Sequence, residues 1–259
     1  MRPSAALGLA TFLGLAAVGP GLVASDLPYA DAERLTYHFY WGFFMVGRGT
    51  FEVRREKGGI EELTVVVRSN DFVSTIYPVE DTLRSRFDPV RKRALFFEQM
   101  RKEGPHRVWE QAWFLYPFEH GWMQSFLTGE TKWFEISPQG VVDKLSLIYL
   151  MRHRDWRVRD RYAATVGNDK GSQTVEVRKL GTEVVKLNDF PPIAAFRVEP
   201  DPQYLRGFVK RGRVEAWVSD DDRKIPLKVI SKLPIGSIWA QLVRAEGVGE
   251  WPAGAPEKK

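Results

Sequence analysis

The sequence predicts a mainly β protein, in which a large, strongly curved antiparallel sheet (a half-barrel or open barrel) packs around one central helix. Three observations predict this fold. Apolar and polar residues alternate with a period of two over most of the chain. Clusters of Gly, Pro, Asn and Asp separate these runs. A single segment, residues 143–156, is apolar nearly all round a helix, whereas a parallel sheet would need many helical segments.

The first 25 residues have the features of a secretory signal. Arg2 supplies a positive charge, residues 5–18 are apolar, and small residues precede Asp26. The apolar run is shorter than the roughly 20 residues that a membrane-spanning helix needs, so we expect cleavage after Ser25 rather than retention as an anchor. The sequence therefore predicts export to the periplasm, with no membrane-spanning segment in the mature protein.

Composition limits the partners that this chain can have. It contains no cysteine, so we expect neither disulfides nor a lipid-modified N-terminal cysteine, and the core must hold the exported protein together. A net charge of +5 on 259 residues does not favour nucleic-acid binding, although it is compatible with a local basic patch facing anionic lipid or polysaccharide. We expect one β domain over residues 26–251 and a disordered tail over residues 252–259.

The strands of the N-terminal half follow from period-two alternation. The first runs from Leu35 to Trp41, and the second passes through Phe51 and Val53. Glycines between and within these two strands favour a curved sheet, because they permit bulges and close backbone approach. Further strands are predicted over residues 63–67, 79–87, 95–100, 108–115, 122–127 and 132–136, with one helical turn inside residues 71–77.

The predicted helix extends from Asp143, a plausible N-cap, to Trp156. Its first two turns are apolar, which is typical of a buried segment. Its end is basic, because Arg and His predominate over Asp in residues 152–161. This basic run has two interpretations: favourable placement of cations at a helix C-terminus, or a site for an anion.

The C-terminal half returns to strands, predicted over residues 162–166, 174–180, 183–187 and 194–198. Three antiparallel strands in a row then follow between Gly212 and Val243. The acidic turn at residues 220–222 separates the first two, and the break at residues 234–236 separates the last two.

Four segments together carry a resemblance to a known family: LTYHFYWGFFMVGRGTFEV (35–53), VSTIYPVEDTLRSRFD (73–88), DKLSLIYLMRHRDW (143–156) and VEAWVSDDDRKIPLKVISKLPIGSIWAQL (214–242). In their order the chain resembles the bacterial exported family known as domain of unknown function 3108. The resemblance covers nearly all of the chain after the signal. It implies a periplasmic or envelope-associated, mainly antiparallel β protein without an established activity, and it supplies no catalytic residues.

No motif in the chain indicates catalysis, a metal or a cofactor. The four histidines lack metal-ligand spacing, and the acidic turn at residues 220–222 lacks the spaced ligands of a calcium loop. No serine lies in a G-x-S-x-G context. The adjacent carboxylates Glu61-Glu62 and Glu80-Asp81 lie on strands, where neighbouring side chains face opposite sides.

Aromatic residues are the unusual feature of the composition, with nine Trp and sixteen Phe. They either fill the space between sheet and helix or line a groove for a lipid or another hydrophobic envelope component. In the groove hypothesis, basic residues after the helix meet an anionic head group. Two alternatives are an enzyme acting on envelope glycan or lipid and a scaffold for a protein partner. The candidate binding residues are Tyr149, Arg152, Arg154, Trp156 and Trp239.

Overall fold

The structure is a computed structural model, which describes residues 32–168, 171–201, 213–233 and 236–249. Within these residues, fourteen strands form one antiparallel sheet with the order β8-β7-β6-β5-β4-β3-β2-β1-β14-β13-β12-β11-β10-β9. The prediction of a mainly β protein with a large antiparallel sheet is therefore confirmed. The predicted signal, residues 1–25, and the predicted tail, residues 252–259, lie outside the described residues.

The strand bounds are β1 (Ala32–Trp41), β2 (Phe44–Arg55), β3 (Glu61–Ser69), β4 (Val79–Asp88), β5 (Arg93–Glu103), β6 (His106–Leu115), β7 (His120–Ser125), β8 (Thr131–Glu135), β9 (Arg161–Asn168), β10 (Gly171–Leu187), β11 (Phe190–Pro200), β12 (Arg213–Ser219), β13 (Pro226–Leu233) and β14 (Gly236–Glu246). The helices are α1 (Asp71–Ser74) and α2 (Ser146–Arg152).

All but one of the strand pairings join neighbours in sequence. The exception is β1 with β14, which pair from Arg34 opposite Glu246 to Trp41 opposite Ile238. This pairing places the first and last strands at the middle of the sheet. The sheet is not closed, but its two ends are close to each other, since the Ser172 hydroxyl donates to the Glu135 carbonyl at 3.4 Å.

The predicted strands over residues 174–180 and 183–187 are in fact one strand, β10, of 17 residues. The break predicted between them is wrong, because the chain continues in extended conformation past Gly181. A register shift against β11 between Lys179 and Gly181 accommodates this glycine. Glycine inside a strand commonly marks such an irregularity rather than an end.

The helix predicted over residues 143–156 is shorter, and α2 covers seven residues. The Asp143 carboxylate accepts hydrogen bonds from the backbone N–H groups of Leu145 and Ser146, at 2.7 and 3.0 Å, and so closes a turn before the helix. At the other end, the Trp156 indole donates to the Met151 carbonyl at 3.0 Å, which folds the chain back after the helix. The predicted basic helix end is therefore mostly a turn.

Three apolar clusters hold the fold together. The largest joins α2 to the strands of the N-terminal half and to β9 and β10, and it includes Leu63, Phe87, Phe97, Phe114 and Leu150. A second joins β1 to β10–β14, and a third surrounds Trp156. The side of α2 that faces β2–β6 is called here the filled side. The side that faces β1 and β11–β14 is called the open side.

Candidate functional site

A cavity of 380 Å³ lies on the open side of α2. Its volume falls within the range of about 300 to 1,000 Å³ that is typical of small-molecule sites. Almost all of its lining side chains are apolar. They come from β1, β2, α2 and β10–β14, and include Leu35, Tyr37, Phe39, Phe51, Leu147, Met151, Phe196, Val198, Val214, Ala216, Val218, Val229, Ser231, Ile238 and Ala240.

Strand register explains why these residues share one surface. On β12 the lining residues are alternate positions, of which Val214 pairs with Ser231 and Ala216 with Val229 on β13. On the other side of β12, Ala216 pairs with Val198 of β11. Residues that are directly opposite each other in a ladder point to the same face. The lining is therefore a continuous sheet face, on which the side chains from β12 and β13 are small.

The helix forms the opposite wall of the cavity. Leu147, Ile148 and Met151 of α2 all contribute to the lining. Ile148 is 38% exposed, although the residues on both sides of it in the helix are buried. An apolar side chain in this position lacks packing partners on one side, which a hydrophobic ligand would supply.

Exposure increases along β1 from one end of the cavity to the other. Leu35 and Tyr37 are buried, Phe39 is intermediate, and Trp41, which lies beyond the lining, is exposed. The Tyr37 hydroxyl donates to the Pro226 carbonyl at 2.7 Å, which ties β1 to the start of β13 at the buried end. The cavity thus reaches towards the rim of the sheet that is formed by the end of β1 and the start of β14.

Arg152, a predicted binding residue, lies inside the molecule and is neutralised there. Its guanidinium donates to both carboxylate oxygens of Glu33 at 2.6 and 2.8 Å, and to the Arg223 carbonyl at 3.0 and 3.2 Å. The Arg152 and Glu33 side chains are 3% and 0% exposed. Such a bidentate, desolvated pair leaves little charge for a ligand head group. Arg152 therefore connects α2 to β1 and to the turn between β12 and β13.

Lys224, which sequence reasoning did not identify as a candidate, is the second charged residue among the described residues that line the cavity. It follows the acidic turn with a backbone φ of 49°. Its ammonium donates to the Asp222 carbonyl at 3.2 Å. Burial, together with the nearby Arg157 guanidinium, lowers the pKa of Lys224. An anionic group at this point would relieve that electrostatic cost.

The other predicted residues have mixed positions. Tyr149 and Trp156 are buried and contribute to the lining, Tyr149 beneath Arg152 and Trp156 beside Phe196, with ring centroids 5.7 Å apart. Trp239 also contributes, but its ring stacks on Tyr40 with centroids 4.1 Å apart. Arg154 lies outside the lining, with its guanidinium 5.4 Å from the centre of the Tyr162 ring.

A polar cluster lies away from the cavity on β4 and β5. Arg101 contacts Glu103 at 2.5 Å and Asp81 at 3.7 Å, so that two carboxylates converge on one guanidinium. Burial and the neighbouring Glu103 raise the pKa of Asp81 to about 6. Burial and Arg101 lower the pKa of Lys144 to about 8. The sequence analysis compared only carboxylates that are adjacent in one strand. It therefore missed this cluster, in which Asp81 comes from β4 and Glu103 from β5.

Two findings concern metals and membranes. No group of His, Cys, Asp and Glu side chains in the described residues is arranged to hold a metal ion. Among the same residues, neither helix has the length and apolar character needed to cross a membrane.

Comparison with known proteins identifies a family and a fold. A solved structure from Brucella abortus, described as a beta-barrel-like protein of domain of unknown function DUF1849, superposes with a TM-score of 0.55. The two sequences are 10% identical, and the match covers 84% of this chain and 98% of that one, so the likeness concerns the fold alone. Among curated proteins, no sequence matches this chain. The family model described as "Protein of unknown function (DUF3108)" matches residues 36–243, and this chain therefore belongs to that family.

Proposed function

We propose that this protein is a periplasmic envelope protein that binds the hydrocarbon chain of a lipid in the cavity beside α2. The observation that carries the proposal is the cavity itself, 380 Å³ in volume and lined by apolar side chains. Apolar cavities large enough for a ligand stay dry and take up apolar molecules. The periplasmic location rests on the secretory features of residues 1–25.

Lys224 gives the proposed site its polarity. Hydrocarbon would lie against the small residues of β12 and β13, whereas an anionic head group would lie beside the Lys224 ammonium. Arg152 does not compete for this role, because Glu33 already neutralises it. A ligand with an apolar body and one negative charge, such as a fatty acid, fits this distribution. In this proposal the sheet curves around α2 and encloses the hydrocarbon chain of the ligand.

The proposal is tested by titrating the purified protein with a dansyl-labelled fatty acid. Ala216→Trp puts a large ring into the cavity, so we expect about a tenfold or greater loss of affinity. Val184→Trp is the matched control, because Val184 is exposed on β10. Equal affinity of Ala216→Trp and the unmodified protein would reject the cavity as the site.

The same titration tests the role of Lys224. Lys224→Gln should raise the dissociation constant of oleate several-fold, calculated from displacement after correction for the probe's own affinity, and leave that of the uncharged oleyl alcohol unchanged. A parallel loss for both competitors would show that Lys224 acts by shaping the cavity rather than by its charge.

A second candidate function, an enzyme acting on envelope glycan or lipid, is favoured by the Asp81, Arg101 and Glu103 cluster. A carboxyl group with a pKa of about 6 beside an ionised carboxylate is suited to proton transfer near neutral pH. Hydrolysis of peptidoglycan or phospholipid by the purified protein, abolished in Asp81→Asn, would support it. The same turnover in Asp81→Asn would exclude this cluster from the reaction.

A further inference from the structure

Five large apolar side chains are exposed together at one rim of the sheet, the rim formed by the strand ends where β1 stops. Trp41, Phe43 and Phe44 form the β1–β2 hairpin and are 53%, 83% and 66% exposed. Phe72 and Ile76, in and after α1, are each 76% exposed. These five residues are called here the tip surface. Contiguous exposed apolar groups of this kind mark interaction sites.

The tip surface is held in place by hydrogen bonds to its neighbours. The Asn70 amide donates to the Met45 carbonyl at 2.7 Å, and the Asn70 backbone N–H to the Val46 carbonyl at 2.9 Å, which fixes α1 beside the start of β2. On the other side, the Trp239 indole donates to the Gly42 carbonyl at 2.6 Å. These hydrogen bonds therefore hold the exposed side chains on a surface that is anchored to both β2 and β14.

A row of basic residues crosses the sheet behind the tip surface. Arg48 of β2 pairs with His38 of β1 and with Arg68 of β3, and Arg68 pairs in turn with Glu80 of β4. Lys102 of β5 lies opposite Glu80 and completes the row. These residues, the basic band, contain three cations and one carboxylate, not counting His38. Arg68 contacts Glu80 at 3.7 Å, so the band keeps an excess of positive charge on one face of the sheet, which is suited to an anionic partner.

We propose that the tip surface docks on an anionic lipid membrane, with its aromatic side chains in the interface and the basic band at the level of the phosphates. Arg48 lies four residues from Phe44, or about 13 Å along the strand. Apolar faces of peripheral proteins enter the interface by about 5–10 Å, which brings the band close to the head groups. An aromatic edge followed by cations is the pattern that membrane interfaces favour.

The membrane proposal does not depend on what occupies the cavity, but it gives the proposed lipid a route. The exposed end of the cavity, at Ile238, lies at the same rim of the sheet as the tip surface, because Ile238 pairs with Trp41. If the proposed function is correct, a docked molecule would present this end of the cavity to the bilayer. That clause rests on the proposed function, and vesicle binding and fatty-acid binding are therefore measured separately.

The experiment is co-sedimentation of the purified protein with phosphatidylcholine vesicles, with and without phosphatidylglycerol. The double variant Phe43→Ser/Phe44→Ser should bind both kinds of vesicle at least about tenfold more weakly. Arg48→Glu/Arg68→Glu should lose about tenfold or more on the anionic vesicles alone, and the loss should diminish at high salt. Phe118→Ser is the matched control. Phe118 is 71% exposed in the β6–β7 turn, which lies at the opposite rim of the sheet from the β1–β2 hairpin.

Three outcomes would overturn the proposal. They are unchanged vesicle binding by Phe43→Ser/Phe44→Ser, an equal loss in Phe118→Ser, and a dimer in sedimentation velocity that the double variant abolishes, which would assign the tip surface to a second copy of the chain. Because all of these residues are exposed, the unfolding midpoint should not change and checks the fold. Loss of vesicle binding with retained dansyl fatty-acid binding separates this inference from the proposed function.

Discussion

The filled and open sides of α2 are built from the same kind of strand but have different interiors. On the filled side, Phe87, Phe97 and Phe114 reach the helix and pack with Leu150 into one cluster. On the open side several residues of β12 and β13 that face the helix are small, such as Ala216 and Ser231, and a cavity of 380 Å³ is left. Period-two patterning thus fixes which residues face the helix, whereas side-chain volume decides whether that face becomes core or leaves a cavity.

The helix that both sides share is fixed to β1 at its C-terminal end by the buried pair of Glu33 and Arg152. Glu33 is the second residue of β1, and Arg152 is the last residue of the helix. If the filled side supplies stability and the open side supplies binding, substitutions should separate the two properties. Changes at the Glu33–Arg152 pair should affect both, because both sides pack on α2.

The largest expected effect follows from Glu33→Gln. Removing one charge of a buried pair leaves the other uncompensated, which costs about 3–5 kcal/mol in free energy of unfolding. Urea denaturation of the purified variant measures it. Glu56→Gln, which removes the partner of Arg86 in a more exposed pair at 2.7 Å, is the matched control and should cost at most about 1 kcal/mol.

A similar small loss for both variants would mean that water reaches Arg152 and that the pair does not fix α2 to β1. The double variant Glu33→Leu/Arg152→Met should recover most of the stability, because an apolar replacement of both partners removes the desolvation cost.

Much of the sheet could be predicted from sequence, because alternation is a local signal. The three strands between Gly212 and Val243 appear as β12, β13 and β14 for this reason. The partner of Arg152 could not be predicted, since Glu33 lies 119 positions away and strand alternation does not distinguish it from an exposed glutamate. A groove could be hypothesised from the aromatic residues, but the size of the cavity could not be predicted, because it depends on volumes summed over seven strands and a helix.

Lowering the pH should reduce the free energy of unfolding through His153. This residue follows α2, and its ring centroid lies 6.5 Å from that of Phe87 on the filled side. Burial, then the nearby Arg152, Lys92 and Lys224, lowers the pKa of His153 from 6.5 to about 4. The unfolded chain therefore binds more protons between pH 6.5 and 4, so stability falls as the pH is lowered through this window. A change of this size is on the order of 3 kcal/mol.

The measurement is the free energy of unfolding in urea at a series of pH values, compared with His153→Gln. The variant lacks the titrating ring, so the difference between the two curves isolates this residue from the carboxylates. Parallel curves between pH 6.5 and 4 would show that His153 is protonated equally in the folded and unfolded states.

The smallest expected effect is also the most direct comparison of the two sides. Ala94→Leu adds volume to a fully buried position on the filled side, and overpacking there should cost about 1–3 kcal/mol. Ala216→Leu adds the same atoms on the open side, where the cavity accepts them, so its free energy of unfolding should stay within about 0.5 kcal/mol of the original protein or rise. Urea denaturation of both variants decides the matter. Equal destabilisation would mean that the open side is packed in solution as tightly as the filled side, and that the cavity is not a preformed site.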